Sequence, residues 1–171
     1  MKNEKRTEYE QLSEAIKLAT NSHHGQFDAG GKPYILHPLL LMHQLMYDIE
    51  LAIMGVLHDM IEDSHDDIDD WRVEKDLAGL RHIGFSERIL AGINLLTHRP
   101  ADDYLDVYIK NICTNYDAVR VKRKDLEHNA SITRLKGITP KDEARMYKYH
   151  EAYLILGEAK KEFKKIGASS R

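Results

Sequence analysis

The chain has 171 residues, with 25 Lys and Arg against 28 Asp and Glu, a formal charge of −3. That length suits one domain of roughly 100–200 residues, and the near-balance of charge argues against a nucleic-acid partner, which calls for a strongly basic face. One cysteine, Cys113, excludes an internal disulfide framework and a cysteine-rich metal site, so with ten histidines any metal must be held by imidazole and carboxylate.

No stretch approaches the roughly 20 apolar residues that span a bilayer. The opening MKNEKRTEYEQ lacks the apolar run of a secretory signal, and the expectation is a soluble cytoplasmic protein without a membrane partner. Leu12, Ala15, Ile16 and Ala19 repeat at i, i+3, i+4, i+7, one stripe of a first helix. Gly25, Gly30 and Gly31 then break the pattern and predict a tight loop over 21–32. A second helix starts near Pro38 and carries Leu39, Leu40, Met42, Leu45 and Met46. A third spans about 49–63. It is apolar nearly all round from Leu51 to Leu57, the mark of a buried, central helix.

Residues 64–70 (SHDDIDD) read as an acidic loop or a helix entry. Ser86 caps a helix through Leu96. Asp102 or Asp103 starts another, with Leu105, Tyr108, Ile109 and Ile112 as its apolar positions, and Asp117 caps a long one to about 135. Thr139-Pro140, with Asp142 completing a capping box, opens a last helix over about 140–165. The basic tail AKKEFKKIGASSR is expected as the frayed end of that helix. No run alternates as a strand does. The expected fold class is all-α, a single domain built as a bundle of about six to eight helices.

The densest chemistry is His58-Asp59-Met60-Ile61-Glu62-Asp63. Four ionisable groups in six residues, after the most apolar run in the chain, are costly unless paired or bound to a cation. His37 stands at a helix start between apolar residues, and Asp125, His128 and Asn129 share one face at i, i+3, i+4. The basic residues beside them, Arg120, Lys122, Arg123 and Lys124, are expected on a solvated face, some of them turned to a polyanionic ligand if one docks nearby. His37, His58, Asp59 and Asp125 together would make a mixed nitrogen and oxygen site suited to Mn²⁺, Fe²⁺, Co²⁺ or Zn²⁺. Glu62 and Asp63 are then the carboxylates free to orient a water or manage its proton. The loop HHGQFDAGG at 23–31 holds two histidines and neither glycine fingerprint for phosphates.

Four stretches, HHGQF at 23–27, GKPYILHP at 31–38, LHDMIED at 57–63 and KRKDLEHN at 122–129, resemble in order and spacing the HD superfamily of metal-dependent phosphohydrolases. More narrowly they are similar to the hydrolase domain of the RelA/SpoT family and its small single-domain relatives. The resemblance covers roughly residues 12–135. It implies one HD-type domain over 1–171, with His37, His58, Asp59 and Asp125 as metal ligands and Mn²⁺ as the usual metal. Glu62 and Asp63 match the family's catalytic pair, and Asn129 a residue lining its nucleotide pocket. The implied reaction is hydrolysis of the 3′-pyrophosphate of (p)ppGpp. His23, His24, Lys32, Tyr34 and Arg134 are further candidates for substrate contact.

One departure stands out. Asp28-Ala29 occupy positions where the family usually carries Arg-Lys, its arginine stacking on guanine. An anion replaces a cation able to stack and fork, which leaves the metal site untouched and other nucleotides open, a dNTP (cleaved to triphosphate) or NADPH (losing phosphate). A slow-turnover nucleotide sensor is the alternative from another class. The completeness of ligands and acidic pair weighs against it.

Overall fold

The structure is a computed structural model and describes residues 6–63 and 68–169. Helix α1 (Glu8–Ser22) opens on a capping box: the Thr7 hydroxyl accepts from the Glu10 N–H and the Glu10 carboxylate accepts from the Thr7 N–H. It buries Leu12, Ala15 and Ala19, the expected stripe. Helix α2 (Leu36–Leu45) begins two residues earlier than expected, so Pro38 is its third residue. Proline still fits there, because first-turn N–H groups have no partner within the helix.

Helix α3 (Ile49–Leu57) is capped by Asp48, and every residue from Leu51 to Leu57 is buried. It packs against α1, α2, α6 and α8, as its all-round apolar surface requires. Gly55 makes the closest approach. A Cβ there would stand 2.9 Å from Leu45 Cδ1 and 3.3 Å from the Leu41 and Met42 backbone. Gly55→Ala is therefore expected to push α2 off α3 and to cost about 1–3 kcal/mol. Urea unfolding measures this, and an unchanged midpoint would show that the contact gives way freely.

The single helix expected over 49–63 is two. Helix α3 ends at Leu57, residues 58–59 form a turn, and α4 (Met60–Asp63) follows. The His58 ring bonds through Nδ1 to the Gly55 carbonyl at 3.0 Å. That is the carbonyl a continued helix would offer to residue 59.

Helix α5 (Asp70–Ile83) was not anticipated beyond its entry. Asp69 caps it, Gly84 (φ 107°) ends it, and only Val73, Leu77 and Leu80 are buried. Residues 64–67 of the expected acidic loop lie outside the described residues. Helix α6 (Glu87–Leu96) starts on Ser86 as expected, the Ile89 N–H donating to its hydroxyl at 3.3 Å. Asp103 caps the next segment, but Tyr104–Ile109 form a π-helix that runs into α7 (Lys110–Ile112).

Helix α8 (Tyr116–Asn129) is capped by Asn115 rather than Asp117, whose carboxylate instead accepts from Arg88 Nε at 2.7 Å. It ends at Asn129 instead of near 135, and a 3₁₀ turn (Ile132–Arg134) follows. Helix α9 (Pro140–Ser169) opens on the expected Thr139–Asp142 box and packs on α8 and the π-helix. The all-α expectation holds. Among the described residues seven helices of nine residues or more carry the fold, and there is no strand beyond one isolated bridge, Phe27 to Pro33. No described helix is long and apolar enough to cross a membrane.

Candidate metal centre and adjoining cavities

Three helices bring four expected ligands to one point. His37 comes from the first turn of α2, His58 and Asp59 from the end of α3, and Asp125 from α8. In a continuous helix neighbouring side chains point about 100° apart and do not meet. The turn at 58–59 overcomes this: His58 Nε2 lies 2.9 Å from Asp59 Oδ2. His37 Nε2 lies 3.1 Å from Asp125 Oδ1 and 3.8 Å from Asp59 Oδ2. His37, His58 and Asp59 present ligand atoms all within 4.8 Å of one another, and Asp125 joins them through the two imidazoles.

The far sides of both rings are tied down. His58 uses Nδ1 on the Gly55 carbonyl, which turns Nε2 toward the carboxylates. The His37 ring stacks on His128, with Nδ1 facing Nδ1. Arg134 Nη1 also donates to His128 Nδ1 at 3.2 Å. Arginine has no acceptor, so that nitrogen of His128 accepts and His37 carries its proton on Nδ1. Burial, with His37 and Arg134 nearby, pushes His128 down to about 4, which keeps it neutral. Both Nε2 atoms are buried without a hydrogen-bond partner. Two bare nitrogens facing two carboxylates repel unless a proton or a cation stands between them.

In the metal-free protein a proton does so. Burial pushes His58 down, but the Asp59 and Asp125 carboxylates outweigh it and carry it up to about 10. Asp59 is held low by His58 against its own burial, and the Tyr34 hydroxyl donates to it. Asp125 is buried too, and the Lys122 ammonium, 2.7 Å from Oδ2, holds it well below the usual carboxylate range. Lys122 corrects the expected solvated face: it is 9% exposed. Three positions before Asp125 on α8, it points the same way.

Helix α4 sets Glu62 and Asp63 beside this cluster. A cavity of about 170 Å³ is lined by Asp59, Glu62, Asp63 and Asp125 and by Tyr104 and Lys122. The Glu62 carboxylate accepts the His98 N–H at 3.1 Å, and burial raises its pKa. Burial and then the Asp59 charge raise Asp63 to about 6. His23 is buried behind it, with Nδ1 donating to Gln26 Oε1 at 2.9 Å and lying 3.4 Å from Asp63 Oδ2.

A second cavity, about 290 Å³, adjoins the first, with Tyr34, Asn129 and Tyr149 lining both. Phe27, Asp28, Arg134 and Arg145 complete its walls. Asp28 is fully engaged: Oδ1 accepts the Lys32 N–H at 2.9 Å and Oδ2 accepts Arg134 Nη2 at 3.2 Å. A Cβ on Gly30 would stand 2.5 Å from the Arg134 carbonyl, so the glycine loop and the 3₁₀ turn are in direct contact. A guanidinium thus faces the cavity from Arg134 although position 28 is an anion. Of the expected contacts, Tyr34, Asn129 and Arg134 line this cavity. Lys32 lines a neighbouring one of about 440 Å³ with Lys136, and His24 is exposed and lines neither. Sequence reasoning missed Tyr104, Lys122, Arg145 and Tyr149. Lys122 left a signal in its spacing from Asp125, and Tyr104 and Tyr149 fall in stretches similar to the small single-domain relatives.

No protein-family model matches the chain. It is similar to the guanosine-3′,5′-bis(diphosphate) 3′-pyrophosphohydrolase of Borreliella burgdorferi, 34% identical over 70 residues, and to that of Haemophilus influenzae, 42% over 50. It is also similar to the bifunctional (p)ppGpp synthase/hydrolase SpoT of Escherichia coli, 36% over 56. These matches span 38%, 28% and 31% of this chain and only 10%, 7% and 8% of the relatives. Over that stretch the chain resembles the RelA/SpoT-type (p)ppGpp hydrolases, as its motifs imply.

Proposed function

We propose that this chain is a metal-dependent phosphohydrolase of the HD type, acting on a phosphorylated nucleotide, and that its substrate is the 3′-pyrophosphate of (p)ppGpp. The observation that carries this reading is the pair of buried Nε2 atoms of His37 and His58, each set against a carboxylate oxygen of Asp125 or Asp59. Those four residues would hold a divalent cation with nitrogen and oxygen ligands, Mn²⁺ first, with Fe²⁺, Co²⁺ and Zn²⁺ compatible. When bound, the cation supplies Lewis acidity to water and to a phosphoryl oxygen.

The chain's own groups do the rest. Asp63, whose carboxyl burial raises above the usual aspartate range, is the group placed to take a proton from an attacking water. Glu62, fixed by the His98 N–H, orients that water. The cavity of about 290 Å³ takes the nucleoside between Tyr34, Tyr149 and Phe27, with Arg134 and Arg145 for its charge. Asp28 favours a second reading at the level of the substrate. Since it stands where a stacking cation would be, a dNTP or NADPH is the alternative nucleotide.

The test is a panel of ppGpp, dNTPs and NADPH with purified protein and Mn²⁺, the products separated by chromatography. Pyrophosphate from ppGpp alone supports the first substrate. Triphosphate from dNTPs, or phosphate from NADPH, replaces it. No release from any of them overturns the reading. Cation binding itself should depend on pH. Because His58 keeps its proton up to about 10, a cation must expel it. Mn²⁺ affinity should therefore rise about tenfold per pH unit between roughly pH 6 and 8. Calorimetry in buffers of different ionisation heat measures the released proton, and a flat profile would contradict the protonated His58.

A further inference from the structure

The small cavity holds donors as well as carboxylates. Tyr104 and Lys122 line it together with Asp59, Glu62 and Asp63. The Tyr104 hydroxyl is buried and has no hydrogen-bond partner. Its neighbour Tyr108 lines the same cavity, but that hydroxyl is satisfied by the Leu96 carbonyl. A buried hydroxyl left unpaired costs stability and calls for an explanation. Lys122 is the second oddity. Its ammonium is buried, holds Asp125 Oδ2 at 2.7 Å and lies 5.1 Å from the Tyr108 ring centre. Of its three donor hydrogens, Asp125 takes one and the Tyr108 side chain another, which leaves a third for a ligand.

The local backbone points the same way. Tyr104 and Tyr108 belong to the π-helix Tyr104–Ile109, capped by the Asp103 carboxylate, which accepts from the Leu105 and Asp106 N–H groups. π-Turns are rare and concentrate at functional sites. Here the wide turn sets both rings against the cavity, 5.5 Å apart, with His98 and Tyr149 around them. Lys148 Nζ sits 4.3 Å from the centre of the Tyr104 ring and fixes it from behind. Burial pushes the Tyr104 phenol up to about 12, so at neutral pH it is a donor.

We propose that the Tyr104 hydroxyl and the Lys122 ammonium form a subsite for the non-bridging oxygens of a pyrophosphate group, the part of the substrate that leaves. The inference rests on the phosphohydrolase reading and adds two catalytic residues to it. An anion entering this cavity meets carboxylates, and these two groups supply the donors that offset them. The unpaired hydroxyl is then the price of keeping one donor ready.

The deciding variant is Tyr104→Phe, probed with inorganic pyrophosphate on the Mn²⁺-loaded protein by calorimetry. The ring and its packing stay, so thermal stability should be unchanged or higher and Mn²⁺ affinity unchanged. Pyrophosphate affinity should fall about tenfold or more, the value of one hydrogen bond to a charged group. Its kcat/KM on ppGpp should fall in proportion. Lys122→Met should lose about a hundredfold in pyrophosphate affinity, with partial rescue by Lys122→Arg. Should Lys122→Met fail to fold, Tyr104→Phe still decides. A Tyr104→Phe protein that binds pyrophosphate as tightly as the parent overturns the subsite, and so does a parent that does not bind it. Tyr104-dependent binding without release from any nucleotide overturns the hydrolase reading and leaves the subsite standing.

Discussion

Asp59→Ala is expected to abolish Mn²⁺ binding and, with it, nucleotide hydrolysis. Asp59 Oδ2 is one of two oxygens both imidazoles share, 2.9 Å from His58 Nε2 and 3.8 Å from His37 Nε2, the other being Asp125 Oδ1. The other carboxylate, Asp125, is already neutralised by Lys122 at 2.7 Å. Asp59 is therefore the net negative charge that a divalent cation would meet between the rings. Without it the site keeps two neutral ligands and one compensated carboxylate. Even changes one shell away from a metal cost about 10–100-fold in affinity, and loss of a charged ligand should exceed that. Turnover should drop about 10³-fold or more, as several kcal/mol of transition-state stabilisation go with the cation. Metal content, circular dichroism and product release on one preparation make the test. A folded Asp59→Ala protein that still hydrolyses the substrate would refute the assignment.

Asp63→Asn should act in opposite directions on activity and stability. As the proposed proton acceptor, Asp63 is worth about 10²–10⁴-fold in rate. Its carboxyl is also raised from 3.8 to about 6 in the fold, by burial first and the Asp59 charge second. Between about pH 4 and 6 the folded state therefore keeps a proton that the unfolded state has released. Stability falls as pH rises through that window, and the deficit persists above it. Asparagine carries no charge to bury. In chelator-treated protein Asp63→Asn should melt a few degrees higher than the parent at pH 7.5, and the gain should vanish near pH 4. Scanning calorimetry at both values measures it. An equal gain at both would assign it to packing.

The proposed ligands His58 and Asp59 stood out in the sequence because they sit in a short charged run whose cost is local. Charged groups following Leu51–Leu57 need an explanation wherever that helix packs. Caps were legible for the same reason: Ser86, Asp103 and Thr139 satisfy N–H groups two or three residues away. What escaped depends on distant partners. The helical pattern runs on through 58 and 59, and nothing in it shows the His58 ring taking the Gly55 carbonyl. Helix α5 escaped because three buried residues, Val73, Leu77 and Leu80, make too thin a stripe in a polar segment. Asp117 looked like a cap, but Arg88, 29 positions away, claims its carboxylate. Tyr104 and Tyr149 reach the cavity only because α9 packs on the π-helix, an approach that no local spacing encodes. Lys122 was read as solvated because a run of cations usually is. Its burial follows once Asp125 is known to face inward.

The contact between Asp28 and Arg134 joins residues 106 positions apart, and the His37–His128 stack joins residues 91 apart. As the chain is synthesised, His37, His58 and Asp59 emerge long before the segment that orients them. Closing such long loops costs little more than closing short ones, about 0.6 kcal/mol per doubling of length, but the search for the contact is slow. The amino-terminal half therefore carries three of the four proposed ligands before Asp125 and the His128 ring that stacks on His37 are made. Arrival of α8 and the turn beyond it completes the set. A cation held by that arrangement binds the finished fold and not its precursors, and so pulls late folding to completion by mass action.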